Sequence, residues 1–71
     1  MYDYSKLKGK IVEIYGTQTE FAKAMGLTKA GLSIKLKCKS DFRQGEISKA
    51  MELLSIENPT PYFFTKAVNK M

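Results

Sequence analysis

The chain is 71 residues long and sets twelve lysines and arginines against seven acids, for a net charge of +5, with no histidine and one cysteine. That length leaves room for one domain, residues 1–71, which buries only about 60% of the surface its unfolded form exposes. No apolar run approaches the roughly 20 residues needed to span a bilayer, and no charged-then-apolar leader precedes the first helical pattern, so a cytoplasmic protein is expected. A lone Cys38 closes no internal disulfide, and without histidine a structural zinc site is out of reach, so neither metal nor cofactor is expected.

The first helix is predicted to start at Ser5 as its cap and to bury Leu7, Ile11 and Ile14, spaced i, i+4, i+7. Tyr4 would pack beside the alkyl stem of Lys8 as a staple, Val12 and Tyr15 would cover the edge of the core, and Gly16 would end the helix.

Thr17 opens a capping box with Glu20: the hydroxyl accepts from the Glu20 amide, and the carboxylate reaches back to the Thr17 amide. Phe21, Ala22 and Met25 recur at helical spacing, and Gly26 follows where a left-handed residue ends a helix without a Cβ penalty. Leu27 fills the elbow. Thr28 then caps a third helix that buries Leu32 and Leu36, one turn apart. Residues 17–37 therefore read as a helix-turn-helix, the unit that many DNA-binding proteins set in the major groove.

Lys37 to Arg43 forms a polar connection anchored by Phe42. A fourth helix from Gln44 carries Ile47, Ala50, Met51 and Leu54 on one face and Glu46 in its first turn, where the helix dipole favours an acid. Arg43 occupies its cap position in place of Ser, Thr, Asp or Asn. Asn58-Pro59 breaks the chain, and Thr60-Pro61 reads as cap and first position of a short last helix holding Tyr62-Phe63-Phe64. Three consecutive aromatics cannot all point inward on one turn, so one reaches a second surface. Residues 59–71 thus form a short aromatic tail, a candidate for homodimer contact, with Thr65 to Met71 expected to fray.

The charge is local. Residues 29 to 43 carry Lys29, Lys35, Lys37, Lys39 and Arg43 against Asp41, a window of +4. Such a patch suits a polyanion better than general solubility requires, with solvated surface lysines as the alternative. If Leu32 and Leu36 face inward, the opposite face of their helix presents Lys29, Ala30, Ser33, Ile34 and Lys37 to the groove. Phosphate would be held by Thr17, Gln18 and Thr19 at the free amide end of the second helix, by Thr28 and Lys35, and by Lys39, Ser40 and Arg43 beyond the third. That face lacks the Arg, Asn and Gln that discriminate bases best; Ala30 and Ile34 can touch thymine methyls, and as an exposed apolar pair they also admit a second reading with a protein partner. Gly31, costing about 1 kcal/mol against alanine inside a helix, is either a point of close backbone approach to a partner or simply tolerated. No histidine, paired carboxylates or phosphate-binding glycine loop is present, and an enzyme is not expected.

Gln18 with Ala22, Gly26 and Leu32 resembles the helix-turn-helix of small phage repressors and Cro-like proteins. The whole chain, with Leu7-Lys8-Gly9-Lys10-Ile11, Gln44-Gly45-Glu46-Ile47 and Pro61-Tyr62-Phe63-Phe64, is similar to the short lytic-switch regulators of temperate phages of Gram-positive bacteria. The resemblance implies an all-α, lambda-repressor-like bundle of about five short helices. It would act in the bacterial host cytoplasm as a sequence-specific transcriptional regulator, commonly a dimer, with the second motif helix in the major groove of double-stranded operator DNA. It further implies that Gln18 contacts phosphate and that Lys29, Ala30, Ser33 and Ile34 face the bases. Lys35 departs from the pattern, standing where such motifs bury an aliphatic residue. Some small phage proteins of this size instead act as antirepressors or modulators that bind a partner repressor through a similar surface, and that alternative stays open.

Overall fold

The computed structural model describes residues 2–66, and five helices follow one another in chain order: α1 (Ser5–Tyr15), α2 (Gln18–Met25), α3 (Lys29–Leu36), α4 (Gln44–Leu54) and α5 (Thr60–Phe63). The fold is all-α. The only β-type pairing among the described residues is an isolated antiparallel bridge between Tyr2 and Lys66.

Helix α1 packs on α2, α4 and α5, and α2 in turn packs on α3 and α4. Its inward face is Tyr4, Leu7 and Ile11, all buried. Two expectations for α1 fail. Ile14 is 43% exposed, and Val12 is 54% exposed, because Tyr4 rather than Ile14 completes the stripe and turns the face toward the N-terminal end. Tyr4 is consequently a core residue and not a staple on Lys8. Tyr15 alone covers the core edge, tilted against Phe21 with 5.4 Å between ring centroids. The cap also differs. Ser5 is the first helical residue, and its amide and hydroxyl both donate to the Asp3 carboxylate, at 2.9 and 2.6 Å. Hydrogen bonding by Ser5 to its ionised form holds the Asp3 carboxyl below the usual aspartate range.

Between α2 and α3 the expectations hold closely. The Thr17 hydroxyl accepts from the Glu20 amide at 3.2 Å, and the Thr28 hydroxyl accepts from the Gly31 amide at 3.0 Å. Gly26 sits at φ 76°, in the left-handed region, and its amide returns to the carbonyls of Ala22 and Lys23. The reverse arm of the Thr17 box is replaced: the Glu20 carboxylate pairs with Lys23 at 3.2 Å, one turn along the helix. Phe21, Ala22, Met25, Leu32 and Leu36 are buried, with Leu27 half-buried at the elbow.

On α4, Ala50 and Leu54 are buried, whereas Ile47 and Met51 are half-buried at its flanks. The Glu46 carboxylate accepts from the Arg43 amide at 2.8 Å, which caps the helix from within and removes the need for a capping side chain at Arg43. After Ser55 turns in the left-handed region at φ 55°, Ile56 is buried, a core position with no periodic signal in the sequence. Helix α5 is capped by Asn58, which accepts from the Thr60 amide at 3.1 Å; Thr60 is the first helical residue and not the cap.

The aromatic tail divides three ways: Phe63 is buried, Tyr62 half-buried and Phe64 46% exposed. Phe63 stands edge-on to Phe42 at 5.2 Å, and Phe42 edge-on to Tyr4 at 5.4 Å. Thr65, expected to fray, instead accepts from the Asp3 amide at 2.7 Å; the remainder of that stretch, 67–71, lies outside the described residues. Replacing Phe63 with alanine removes the end of this ring chain and should cost about 3–5 kcal/mol in urea unfolding, while the same change at Phe64 should cost under about 1 kcal/mol.

Candidate functional site

The face of α3 that points away from Leu32 and Leu36 is the candidate site. Lys29, Ala30, Ile34 and Lys37 are exposed on it, and Ser33 is half-buried. Ile34, at 45% exposed, is the large apolar side chain in the middle of this face. Lys37 marks the helix end, its amide bonded to the Ser33 carbonyl.

Gly31 has an internal explanation. A Cβ there would stand 3.1 Å from the Thr28 hydroxyl oxygen, the atom that accepts the Gly31 amide bond, so a side chain would crowd the cap of its own helix.

The residues expected to hold phosphate separate into two groups. Gln18 and Thr19 are half-buried in the first turn of α2, Thr17 and Thr28 are exposed, and Lys39, Ser40 and Arg43 are exposed beyond α3. The hydroxyls of Thr17 and Thr28 accept from helix amides and keep a proton to donate.

Lys35 belongs elsewhere. Its ammonium lies 3.1 Å from the Glu46 carboxylate and donates to the Asp41 carbonyl at 3.1 Å, with only 12% of the side chain exposed. This corrects its assignment as a phosphate contact, because the charge is already committed inside the fold. The pair fastens the last turn of α3 to the first turn of α4 and holds the connection between them. The Lys35 stem is largely covered and its charge neutralised. Burial pushes the Glu46 carboxyl up, but the Arg43 amide and the Lys35 ammonium together outweigh it and hold the group below its ordinary value.

The open cationic surface is thus Lys29, Lys37, Lys39 and Arg43, with Asp41 the acid among them. Sequence spacing offered no hint of the aromatic cleft lined by Tyr2, Tyr4, Phe42 and Phe64, because its parts come from three segments far apart in the chain. Among the described residues no helix is long and apolar enough to cross a membrane.

The chain is all-helical, with side-chain-capped helices α2 and α3 and an outer α3 face on which Lys29 and Lys37 flank exposed Ala30 and Ile34. Residues 1–66 match the family described as "Protein of unknown function (DUF739)", and the chain belongs to that family. It is similar to the solution structure of the modulator of repression (MOR) of the temperate bacteriophage TP901-1 from Lactococcus lactis, with 46% identity and a TM-score of 0.77, over 96% of this chain and 95% of that one. No curated protein matches.

The folded pKa of Glu46 lies below its ordinary value of 4.5, so the stability it contributes is complete above that pH and disappears as pH falls through the lower folded value. Glu46→Gln should flatten that acid limb of the stability curve, measured by urea unfolding across the pH range, while Glu52→Gln, exposed on α4, should leave it in place.

Proposed function

We propose that this chain is a phage regulatory protein that modulates repression by docking on a partner repressor protein through the exposed face of α3. The observation that carries this reading is the 46% identity, across nearly the whole chain, with a modulator of repression from a temperate phage. The surface supports it. Ile34 is a large apolar side chain left in solvent on a helix whose other face is fully packed, and such an anchor ringed by polar groups fits a protein contact better than a base edge. Ala30 beside it allows close approach, and Lys29 and Lys37 at either end favour a partner surface carrying acids. In this reading the chain is a single-domain, non-catalytic binding protein of the host cytoplasm, and it needs no cofactor.

A second reading, direct contact with operator DNA, is favoured by one observation. Lys29, Lys37, Lys39 and Arg43 remain exposed, and α2 and α3, joined by the Gly26 turn, are the two helices that a helix-turn-helix would set in a major groove. Removing Lys35 from the phosphate contacts weakens that reading by one cation. Homodimerisation through the tail would leave Phe64 as its exposed ring, since Phe63 is committed to the core.

Isothermal titration of the purified chain with the repressor of the same phage tests the first reading. Binding is expected, and Ile34→Lys should weaken it by about 2 kcal/mol or more, as at an interface hot spot, with helical content unchanged. Absence of binding by the unaltered chain would overturn it. In the same series, a labelled duplex from the switch region should bind feebly; tight binding with a log-log salt slope near −0.9 per phosphate contacted would favour the second reading.

A further inference from the structure

The segment before α1, the α3–α4 connection and the end of α5 meet around a cleft of about 240 Å³ that is partly open to solvent. The rings of Tyr2, Tyr4, Phe42 and Phe64 line it, and Asp41 stands among them. Tyr2 meets Phe64 edge-on at 6.2 Å, and Tyr4 meets Phe42 edge-on at 5.4 Å. The cleft is therefore lined mainly by aromatic rings, with Ile47 and Phe63 completing the wall. Its rings are held from the main chain as well: the Cys38 thiol donates to the Tyr2 carbonyl at 3.1 Å, and Tyr2 bridges to Lys66.

Asp41 makes this cleft electrostatically unlike the rest of a chain of net charge +5. Among the described residues its carboxylate enters no ion pair. Lys35 reaches only its backbone carbonyl and is neutralised by Glu46, while Lys37, Lys39 and Arg43 nearby in sequence are exposed and unpaired with it. The phenol of Tyr4 is pushed above its ordinary range, first by burial and then by Cys38 and Asp41, so the aspartate charge is felt within the ring cluster.

Aromatic faces attract cations, most strongly where water is partly excluded, and an unpaired carboxylate beside them adds a charge-assisted hydrogen bond. Pockets that enclose whole small molecules run to about 300–1,000 Å³, so a cleft of about 240 Å³ matches one side chain. We propose that the cleft between Tyr2, Tyr4, Phe42 and Phe64 receives an arginine side chain of a protein partner, the guanidinium stacked on the rings and paired with Asp41. Arginine fits better than lysine because its planar fork both stacks on rings and bonds a carboxylate through two N–H groups. The proposal rests on the reading that the chain works through a protein partner. It uses a second surface, since none of the exposed α3 side chains lines the cleft.

The test is an NMR titration of the full-length, isotope-labelled chain with N-acetyl-arginine-N-methylamide and, in parallel, with the lysine and norleucine analogues. Saturable shifts at the amides of residues 2, 41, 42 and 64 are expected with the arginine probe, with binding about tenfold weaker for norleucine and for Asp41→Asn protein. Phe64→Leu, which keeps bulk but loses the ring, should weaken arginine binding at the same sites. Ile34→Lys should leave these shifts unchanged, which separates this site from the α3 face whatever the outcome with the repressor. Equal responses to arginine and norleucine, or insensitivity to Asp41→Asn, would overturn the proposal. So would shifts at the same amides on concentrating the protein without probe, since the occupant would then be a basic residue of a second copy.

Discussion

The fold depends on a chain of three rings. Phe42 lies edge-on between Tyr4 and Phe63, with centroid spacings of 5.4 and 5.2 Å, and all three are buried. Each ring comes from a different segment: the residue before α1, the connection between α3 and α4, and the last turn of α5. Such pairs add about 0.5–1.5 kcal/mol each beyond the area they bury, a large share of the net stability available to a domain this small. With a single cysteine the chain closes no internal disulfide, so the segment before α1 and the end of α5 are tied together by side-chain packing. The rings supply it, helped by the Asp3 amide on the Thr65 carbonyl.

That constraint also explains how the candidate surface is presented. With Phe42 anchored, the α3–α4 connection has a defined path, and Lys35 and Glu46 meet across it at 3.1 Å. Their pairing removes one cation from the outer surface and stiffens the junction behind α3. The helix is then held from below by Leu32 and Leu36, at its start by the Thr28 cap, and at its end by Lys35. The outer face, centred on Ile34, is left open to solvent.

How much could be read in advance varied along the chain, for local physical reasons. From Thr17 to Leu36 the two threonine caps, the glycine turn and the buried stripe were legible, because each depends on residues within four positions of one another, while the Glu20 carboxylate left its predicted box for Lys23. The ends were legible only in outline. Ser5 and Thr60 looked like caps, yet the bonds are made by Asp3 and Asn58, whose short side chains each reach the amide two residues on. Ile14 fitted the helical period but lost its place to Tyr4, whose ring reaches Phe42 across the fold. Lys35 looked like one more surface cation in a basic window; its partner Glu46 is eleven residues away, beyond the reach of any helical spacing.

Capping and 3.6-residue periodicity are local properties, so the five helices, the α2–turn–α3 pair, its buried side chains and the outer face of Lys29, Ala30, Ile34 and Lys37 could be read from the residues alone, with Ser33, placed on that face, half-buried instead. Packing in three dimensions selects which aromatic of the tail enters the core and which lysine is spent on an internal pair, and it brings Tyr2, Asp41 and Phe64 to one cleft. Those outcomes depend on contacts between segments from 6 to 62 residues apart, where side-chain shape and charge compete in three dimensions and periodicity carries no information.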